Sequence, residues 1–375
     1  KLDREVYTVS DSEENEDGIL VRSAKLLDYQ FPRNLLAIAR AGVGVNNIPI
    51  ERCSEAGIAV FSTPGANSNA VKELAVCALL LASRKITAGS AWLREQAGAG
   101  ADVEKVVEKG KSQFVGPELM GKTLGVIGLG AIGVQVANIA TKLGMTVYGY
   151  DPYLSVDAAL AMSRLIHRAM DLETIYKNCD YISVHVPQTP ETKGMINTDS
   201  IHMMKGGVRI INLARGGLVN DDDMLEALES GKVGAYVTDF PNNRLVGAPH
   251  VVAMPHLGAS TPESEQNCAI MAVDQLKDYL ENGNIKNSVN FPDCEYPRGE
   301  GWRIAIINRN VTNMVGQITA VLAQNRLNIE HMLNHSRGAW AYTLIDLLEQ
   351  PSQECLDALA DIDGVVRVRL IGDGQ

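Results

Sequence analysis

No apolar run in the chain approaches the roughly 20 residues a bilayer span requires. Stretches such as Ala75 to Ala82 are under half that length, and no membrane span is expected. No block of Lys or Arg occurs either. With 34 basic and 45 acidic residues the net charge is −11, which excludes the basic footprint that nucleic acid or an anionic membrane surface selects. The first residues contain no apolar h-region, so no signal peptide is expected. None of the six cysteines, Cys53, Cys77, Cys179, Cys268, Cys294 and Cys355, forms a C-x-x-C pair. That spacing leaves neither a zinc clip nor a disulfide framework, and the thiols are expected as small core residues in a reducing cytoplasm. No His, Asp and Glu cluster has metal-ligand spacing, so no metal is expected. What remains is a 375-residue chain with 46% hydrophobic and 21% charged residues. That is the balance of a globular protein with two or three cored domains, suited to small-molecule chemistry.

Short apolar runs alternate with helical patterns along the first three quarters of the sequence, as in parallel β-α-β units. A strand is expected at Gly18 to Ser23 and another at Leu35 to Ala39, leading into the glycine-rich Ala41-Gly-Val-Gly-Val45. A helix follows at Asn69 to Lys85, with Ser68 or Asn69 as its cap. From Gly121 the pattern restarts, with strands at Thr123 to Ile127, Thr146 to Tyr150, Tyr181 to Val186, Val208 to Leu213, Ala235 to Thr238 and Val251 to Ala253. The fold class expected is α/β, with two doubly wound parallel-sheet domains of Rossmann and flavodoxin-like type. After a helix from Pro262 to Glu281 and a Pro- and Gly-rich linker over Asn282 to Gly301, the order β-α-β-β-α-β from Trp302 onward predicts a third, ferredoxin-like α+β domain.

Gly128-Leu-Gly-Ala-Ile-Gly133 follows the strand Thr123 to Ile127 and opens a helix. In that context the first glycine permits the turn, the second lets backbone approach a pyrophosphate, and the third lets helix pack on strand. Asp151 closes the next strand, 18 residues beyond Gly133, where an acid accepts from both ribose hydroxyls and repels a 2′-phosphate. The expected cofactor is NAD.

Arg215 and His256 each follow a predicted strand, and ligands of doubly wound sheets bind beyond the carboxyl ends of the strands. Oxidising a 2-hydroxy acid needs a base for the hydroxyl proton and a cation for the carboxylate or developing carbonyl, roles that histidine and arginine suit. With these motifs, Gly42-Val-Gly-Val-Asn-Asn47, Asn67 to Leu74 and His185-Val-Pro187, the sequence resembles the D-isomer-specific 2-hydroxyacid dehydrogenases along essentially its whole length. The resemblance is closest to members that carry a C-terminal ACT-like domain and oxidise 3-phospho-D-glycerate to 3-phosphohydroxypyruvate in L-serine biosynthesis.

That resemblance implies Arg215 as the substrate-binding arginine and His256 as the proton acceptor. It implies Gly128, Gly130, Ala131, Ile132, Gly133, Asp151, Pro187, Ala214, Asp239 and Gly258 around NAD, with Asp239 on the nicotinamide carboxamide. Arg22, Ser23, Val43, Gly44 and Asn67 would hold the substrate. The implied domains are 1–88 with 263–298 for substrate, 89–262 for NAD, and 301–375 as an ACT-like regulatory domain in which Asn308 and Asn310 meet a serine effector. A cytoplasmic homodimer or homotetramer is the implied assembly. Two departures stand out. Asn243 or Arg244 occupies the place of the family's histidine-supporting glutamate, so the pH optimum is expected to move down. Thr312 and Asn313 replace the usual Pro-Gly pair of ACT domains, and Asn308 stands where serine-inhibited relatives have histidine. Reduction of another 2-oxo acid, hydroxypyruvate or glyoxylate, and a non-catalytic NAD(H)-sensing scaffold are the alternative readings.

Overall fold

The structure, a computed structural model, describes residues 2–11, 15–100 and 102–372; the outermost residues of the expected domains, 1 and 373–375, lie outside these. The chain divides into two compact units, Lys1–Ala66 with Glu265–Gln375, and Asn67–Ser264.

In the first unit, β1 (Gly18–Val21), β2 (Ala37–Arg40), helix α1 (Ile50–Glu55) and β3 (Ala59–Phe61) build a parallel sheet in the order β1-β2-β3. The strands are parallel as expected, but the reversal of strand order that marks a doubly wound sheet is not among these three. Side chains alternate across the pleat. Ile38 and Val60 enter a core with Leu35, Ile48 and Ile58, while Ala37, Ala39, Ala59 and Phe61 face the other way.

The second unit begins with α2 (Ser68–Ser83), α3 (Ile86–Gly98) and α4 (Val103–Gly110). A seven-stranded parallel sheet follows: β4 (Thr123–Ile127), α5 (Ala131–Lys142), β5 (Thr146–Tyr150), α6 (Val156–Ala161), β6 (Ile166–Arg168), α7 (Leu172–Asn178), β7 (Tyr181–Val184), α8 (Thr198–Met203), β8 (Val208–Asn212), α9 (Asp221–Glu229), β9 (Val233–Thr238) and β10 (Val251–Ala253). The order β10-β9-β8-β7-β4-β5-β6 is doubly wound, and it reverses beside β4, the place where such sheets bind ligands. Helix α2 packs on α5, β8 and β9. It therefore belongs to this unit by its contacts, whereas the expected boundary at residue 88 grouped it with the first sheet. Its cap is Asn67, one residue before the expected position.

Helix α10 (Pro262–Asn282) leads to β11 (Trp302–Arg309), α11 (Met314–Gln324), β12 (His331–Arg337), β13 (Trp340–Leu347), α12 (Gln353–Ala360) and β14 (Val365–Ile371). The antiparallel order β12-β13-β11-β14 is the expected ferredoxin-like arrangement and fits an ACT-like domain. Both faces of this sheet are covered. Ile304, Ile306, Ile345 and Leu347 pack under α11 and α12, while Ala305, Ile307, Tyr342 and Leu344 share one core with Ala37, Ala39, Phe61 and Tyr279 of the first sheet and α10. The expected linker is correspondingly tied down. Arg303, 1% exposed, pairs its Nε and Nη2 edge with the two Asp346 oxygens (2.5 and 2.8 Å) and donates to the Asn282, Tyr296 and Pro297 carbonyls. Among the described residues no single helix is long and apolar enough to cross a membrane.

Candidate active site

At the end of β4 the chain turns at Gly128, whose φ of 92° lies in the left-handed region; a Cβ there would meet the His185 carbonyl oxygen at 2.7 Å. Gly130 caps α5 without a side-chain bond, and the space its Cβ would fill is open. Gly133 is buried in the first turn, where a Cβ would overlap the Gly128 carbonyl. The three glycines thus make the turn, the open approach and the close helix packing. The N–H groups of Ala131 and Ile132 stand at the helix N-terminus, a ready anion site. Asp151 accepts from Leu129 N–H through Oδ2 and from Tyr153 N–H through Oδ1, both at 2.8 Å, which fixes the carboxylate at the lip of β5 with lone pairs remaining for hydroxyl donors. Beyond β7, Pro187 is exposed. His185 Nε2 lies 2.8 Å from Ser183 Oγ, and burial pushes the imidazole down to about 4, so it is neutral at physiological pH.

At the ends of β8, β9 and β10 a cavity of about 510 Å³ is lined by Gly216, Gly217, Asp221, Asp239, Phe240 and His256, among others. His256 is exposed to it, with its ring 4.6 Å from the Phe240 ring at 46°. Asp239 is fully buried; Oδ2 accepts from Gly258 N–H (2.9 Å), while Oδ1 has no partner within the protein. Burial raises the Asp239 carboxyl above the usual range, against the Gly258 hydrogen bond and the nearby His256. An orphaned buried acceptor beside the histidine fits a carboxamide donor, as the open Gly130 fits a pyrophosphate and Asp151 a ribose. Arg215 follows β8 and is exposed; its Nη1 donates to the Ala214 carbonyl (2.7 Å).

The missing glutamate is not replaced by a hydrogen-bonded acid: among the described residues no carboxylate bonds the His256 ring. Asn243 is exposed. Arg244 instead pairs with Asp222, and Asn242 donates to Asp221 (2.6 Å).

The expected substrate residues lie on both units. Asn67 heads α2 in the second unit, and its amide oxygen is buried without a partner. In the first unit, Val43 and Ser23 are exposed and Gly44 is half-buried. Arg22 is paired with Glu265 (2.6 Å). Sequence reasoning missed Arg40, the last residue of β2. Its Nε donates to Asn47 (3.2 Å), burial lowers its pKa, and the charge of Arg22 lowers it further. A cation at the carboxyl end of a strand entering a glycine-rich loop was the available signal. In the C-terminal domain Asn308 is fully buried with Oδ1 unpartnered, and the exposed Asn310 donates to the Gly338 carbonyl (3.0 Å).

This arrangement has counterparts among known proteins. Residues 76–258 match the family described as D-isomer specific 2-hydroxyacid dehydrogenase, NAD binding domain. The chain is 31% identical over 349 residues to D-3-phosphoglycerate dehydrogenase of Haemophilus influenzae, covering 90% of this chain and 81% of that one. It is 39% identical over 272 residues to hydroxypyruvate reductase of Thermotoga maritima, covering 69% and 83%. The Archaeoglobus fulgidus D-3-phosphoglycerate dehydrogenase is 36% identical over 292 residues, covering 74% and 52%. The chain spans about half the length of several curated relatives it matches. Among solved structures, NAD+-bound 3-phosphoglycerate dehydrogenase from Entamoeba histolytica superposes with a TM-score of 0.57 at 29% identity, over 73% of this chain and 82% of that one. With that domain match and relatives above 30% identity covered over four fifths of their length, the chain belongs to the D-isomer-specific 2-hydroxyacid dehydrogenases, and NAD is its cofactor.

Proposed function

We propose that the chain oxidises 3-phospho-D-glycerate to 3-phosphohydroxypyruvate, the entry step of L-serine synthesis. The observation that carries the reading is the cavity in which His256 and the orphaned Asp239 carboxylate oxygen stand together at the ends of β9 and β10. NAD, when bound, supplies the two-electron acceptor for C2. An imidazole nitrogen of His256 takes the C2 hydroxyl proton, and the Arg215 guanidinium holds the substrate oxygens as the carbonyl develops. Asp239, with its free Oδ1, would accept from the nicotinamide carboxamide. The first unit serves substrate by its own groups: backbone N–H at Val43 and Gly44 suits a carboxylate, and the guanidinium groups of Arg22 and Arg40, with Ser23, suit a phosphate. In the second unit the Asn67 amide suits a hydroxyl. The names of the Haemophilus and Archaeoglobus relatives support this substrate.

The test is NAD reduction with 3-phosphoglycerate beside D-glycerate, D-lactate and α-hydroxyglutarate, with NADP as a control. Preference for 3-phosphoglycerate with NAD supports the reading. Faster turnover in the reductive direction with hydroxypyruvate would favour the second reading, a 2-oxo-acid reductase, which the 39% identity to the Thermotoga enzyme keeps in view. NADH binding with no turnover of any acid would leave a sensing scaffold. The C-terminal domain is assigned a serine site, supported by the unpartnered Asn308 oxygen at the end of β11; a flat rate against added serine at subsaturating substrate would remove it.

A further inference from the structure

Asn212, the last residue of β8, is polar and yet 0% exposed. Its Oδ1 accepts from Ala214 N–H (3.2 Å), and its Nδ2 donates to the Arg215 carbonyl (2.9 Å) and reaches the Tyr236 hydroxyl (3.4 Å). Tyr236 is 1% exposed on β9. Thr238 is the register partner of Asn212 across the β8 and β9 pair. Its Oγ1 accepts from Phe240 N–H (3.1 Å), and Phe240 is the residue whose ring lies against His256. Buried uncharged polar groups therefore run from the backbone on either side of the Ala214–Arg215 peptide, across the Asn212 and Thr238 register pair, to the residue whose tilted ring lies against the histidine.

Burying three polar side chains in a sheet core costs free energy unless every group is satisfied, and apolar residues would fill the same volume without that requirement. What the polar groups add is direction. The Asn212 bonds to Ala214 and Arg215 and the Phe240 bond to Thr238 join side chains to the turns beyond β8 and β9, and those turns carry Arg215 and Phe240, the aromatic neighbour of His256. A tilted ring contact alone leaves an imidazole free to shift, so the placement of Phe240 matters more here, where no carboxylate bonds the ring.

We propose that Asn212 and Tyr236 are positioning residues: their hydrogen bonds set the turn bearing Arg215 against the turn bearing Phe240, and through Phe240 they set His256. The proposal rests on the dehydrogenase reading above for its kinetic consequence, though not for its geometric one.

The test uses the full chain as Tyr236→Phe, which removes one oxygen, and Asn212→Ala. NADH affinity is expected to stay within about twofold of wild type, because the glycine turn and Asp151 are untouched. The kcat should fall about threefold for Tyr236→Phe and about tenfold or more for Asn212→Ala, in line with the sensitivity of transfer steps to small misplacements. The primary isotope effect with C2-deuterated substrate should rise as the chemical step becomes limiting. Because the two side chains belong to one relay, the double variant should lose no more than Asn212→Ala alone. Unchanged kcat in a folded Asn212→Ala protein, or losses that multiply in the double variant, would overturn the proposal. If Asn212→Ala does not fold, Tyr236→Phe decides by the same readouts. Oxalate binding to the NADH complex, read by fluorescence, separates this idea from the reaction assignment. A wild type that turns over no 2-hydroxy acid but binds oxalate more tightly than both variants defeats the assignment and keeps the relay. A wild type that does neither defeats both.

Discussion

The Cβ that Gly133 lacks would overlap the carbonyl oxygen of Gly128, five residues earlier on the same turn. The first turn of α5 is thus seated directly on the end of β4, while at Gly130 the same construction meets only open space. The two glycines should fail differently. Gly133→Ala must lever the helix off the strand, an overpacking cost of about 1–3 kcal/mol or more, and should lower Tm and NADH affinity together. Gly130→Ala should leave Tm near wild type and weaken NADH, because its methyl would occupy the approach of the pyrophosphate. Thermal melts beside NADH fluorescence titrations check both. Undiminished NADH affinity in Gly130→Ala would show that this face does not meet phosphate.

Asp151 is an anchor, and we propose that it is also a selector. Its two oxygens hold Leu129 and Tyr153 N–H, and on the proposed reading its charge would meet the ribose hydroxyls. Asp151→Asn keeps an acceptor for one of these amides and removes the charge. The expected result is an affinity for NAD lower by about tenfold, the scale of a lost charge-assisted hydrogen bond, and a narrower gap between NAD and NADP. An unchanged NAD to NADP ratio would relieve Asp151 of the selecting role.

Much of this site was legible before any coordinates, and the reason is local. The glycine turn, the acid ending β5, and Arg215 and His256 beyond strand ends are short-range patterns whose consequences depend on a few neighbouring residues. The sequence of elements in the C-terminal domain was legible for the same cause, since Ile304 to Ile307 is a short continuous apolar run of strand length. What escaped were long-range facts. The shared core of Ala37, Ala39 and Phe61 with Tyr342 and Leu344 joins segments about 300 residues apart, and small alanines give no hint of what covers them. Likewise Arg40 reads as an ordinary strand-end charge until Arg22 is seen beside it.

The same long-range packing makes Arg367 a brace. From β14 it donates to the Leu35 carbonyl (2.7 Å), just before β2, and to the Ala56 carbonyl (3.0 Å), just before β3. Burial lowers its pKa, as expected for a cation held mainly by backbone dipoles. Arg367→Ala strips partners from both carbonyls and should cost about 2–3 kcal/mol of unfolding free energy. Denaturant titration would measure it. A variant as stable as wild type would mean that the shared apolar core alone holds the C-terminal sheet in place.

His185 should write itself into the pH dependence of stability. Its folded value of about 4 lies below the ordinary 6.5 or so of an unfolded histidine, so between those values the unfolded chain binds the proton and the folded one does not. The stability contributed by the neutral ring is therefore complete above about pH 6.5 and is lost as pH falls toward 4. By linkage the loss amounts to about 2 kcal/mol by pH 5. Asp239 works with the opposite sign, because burial raises its folded value, and a carboxyl of that kind gains stability as pH falls toward its unfolded range. The two slopes overlap in wild type, so a single protein cannot separate them. His185→Gln keeps Asp239 and every other titrating group and removes only the imidazole. Urea unfolding at pH 7 and pH 5 should show a smaller drop for the variant than for wild type by about 2 kcal/mol, whatever its starting stability. Equal drops would mean that the ring protonates in place, with Ser183 Oγ accepting the new N–H.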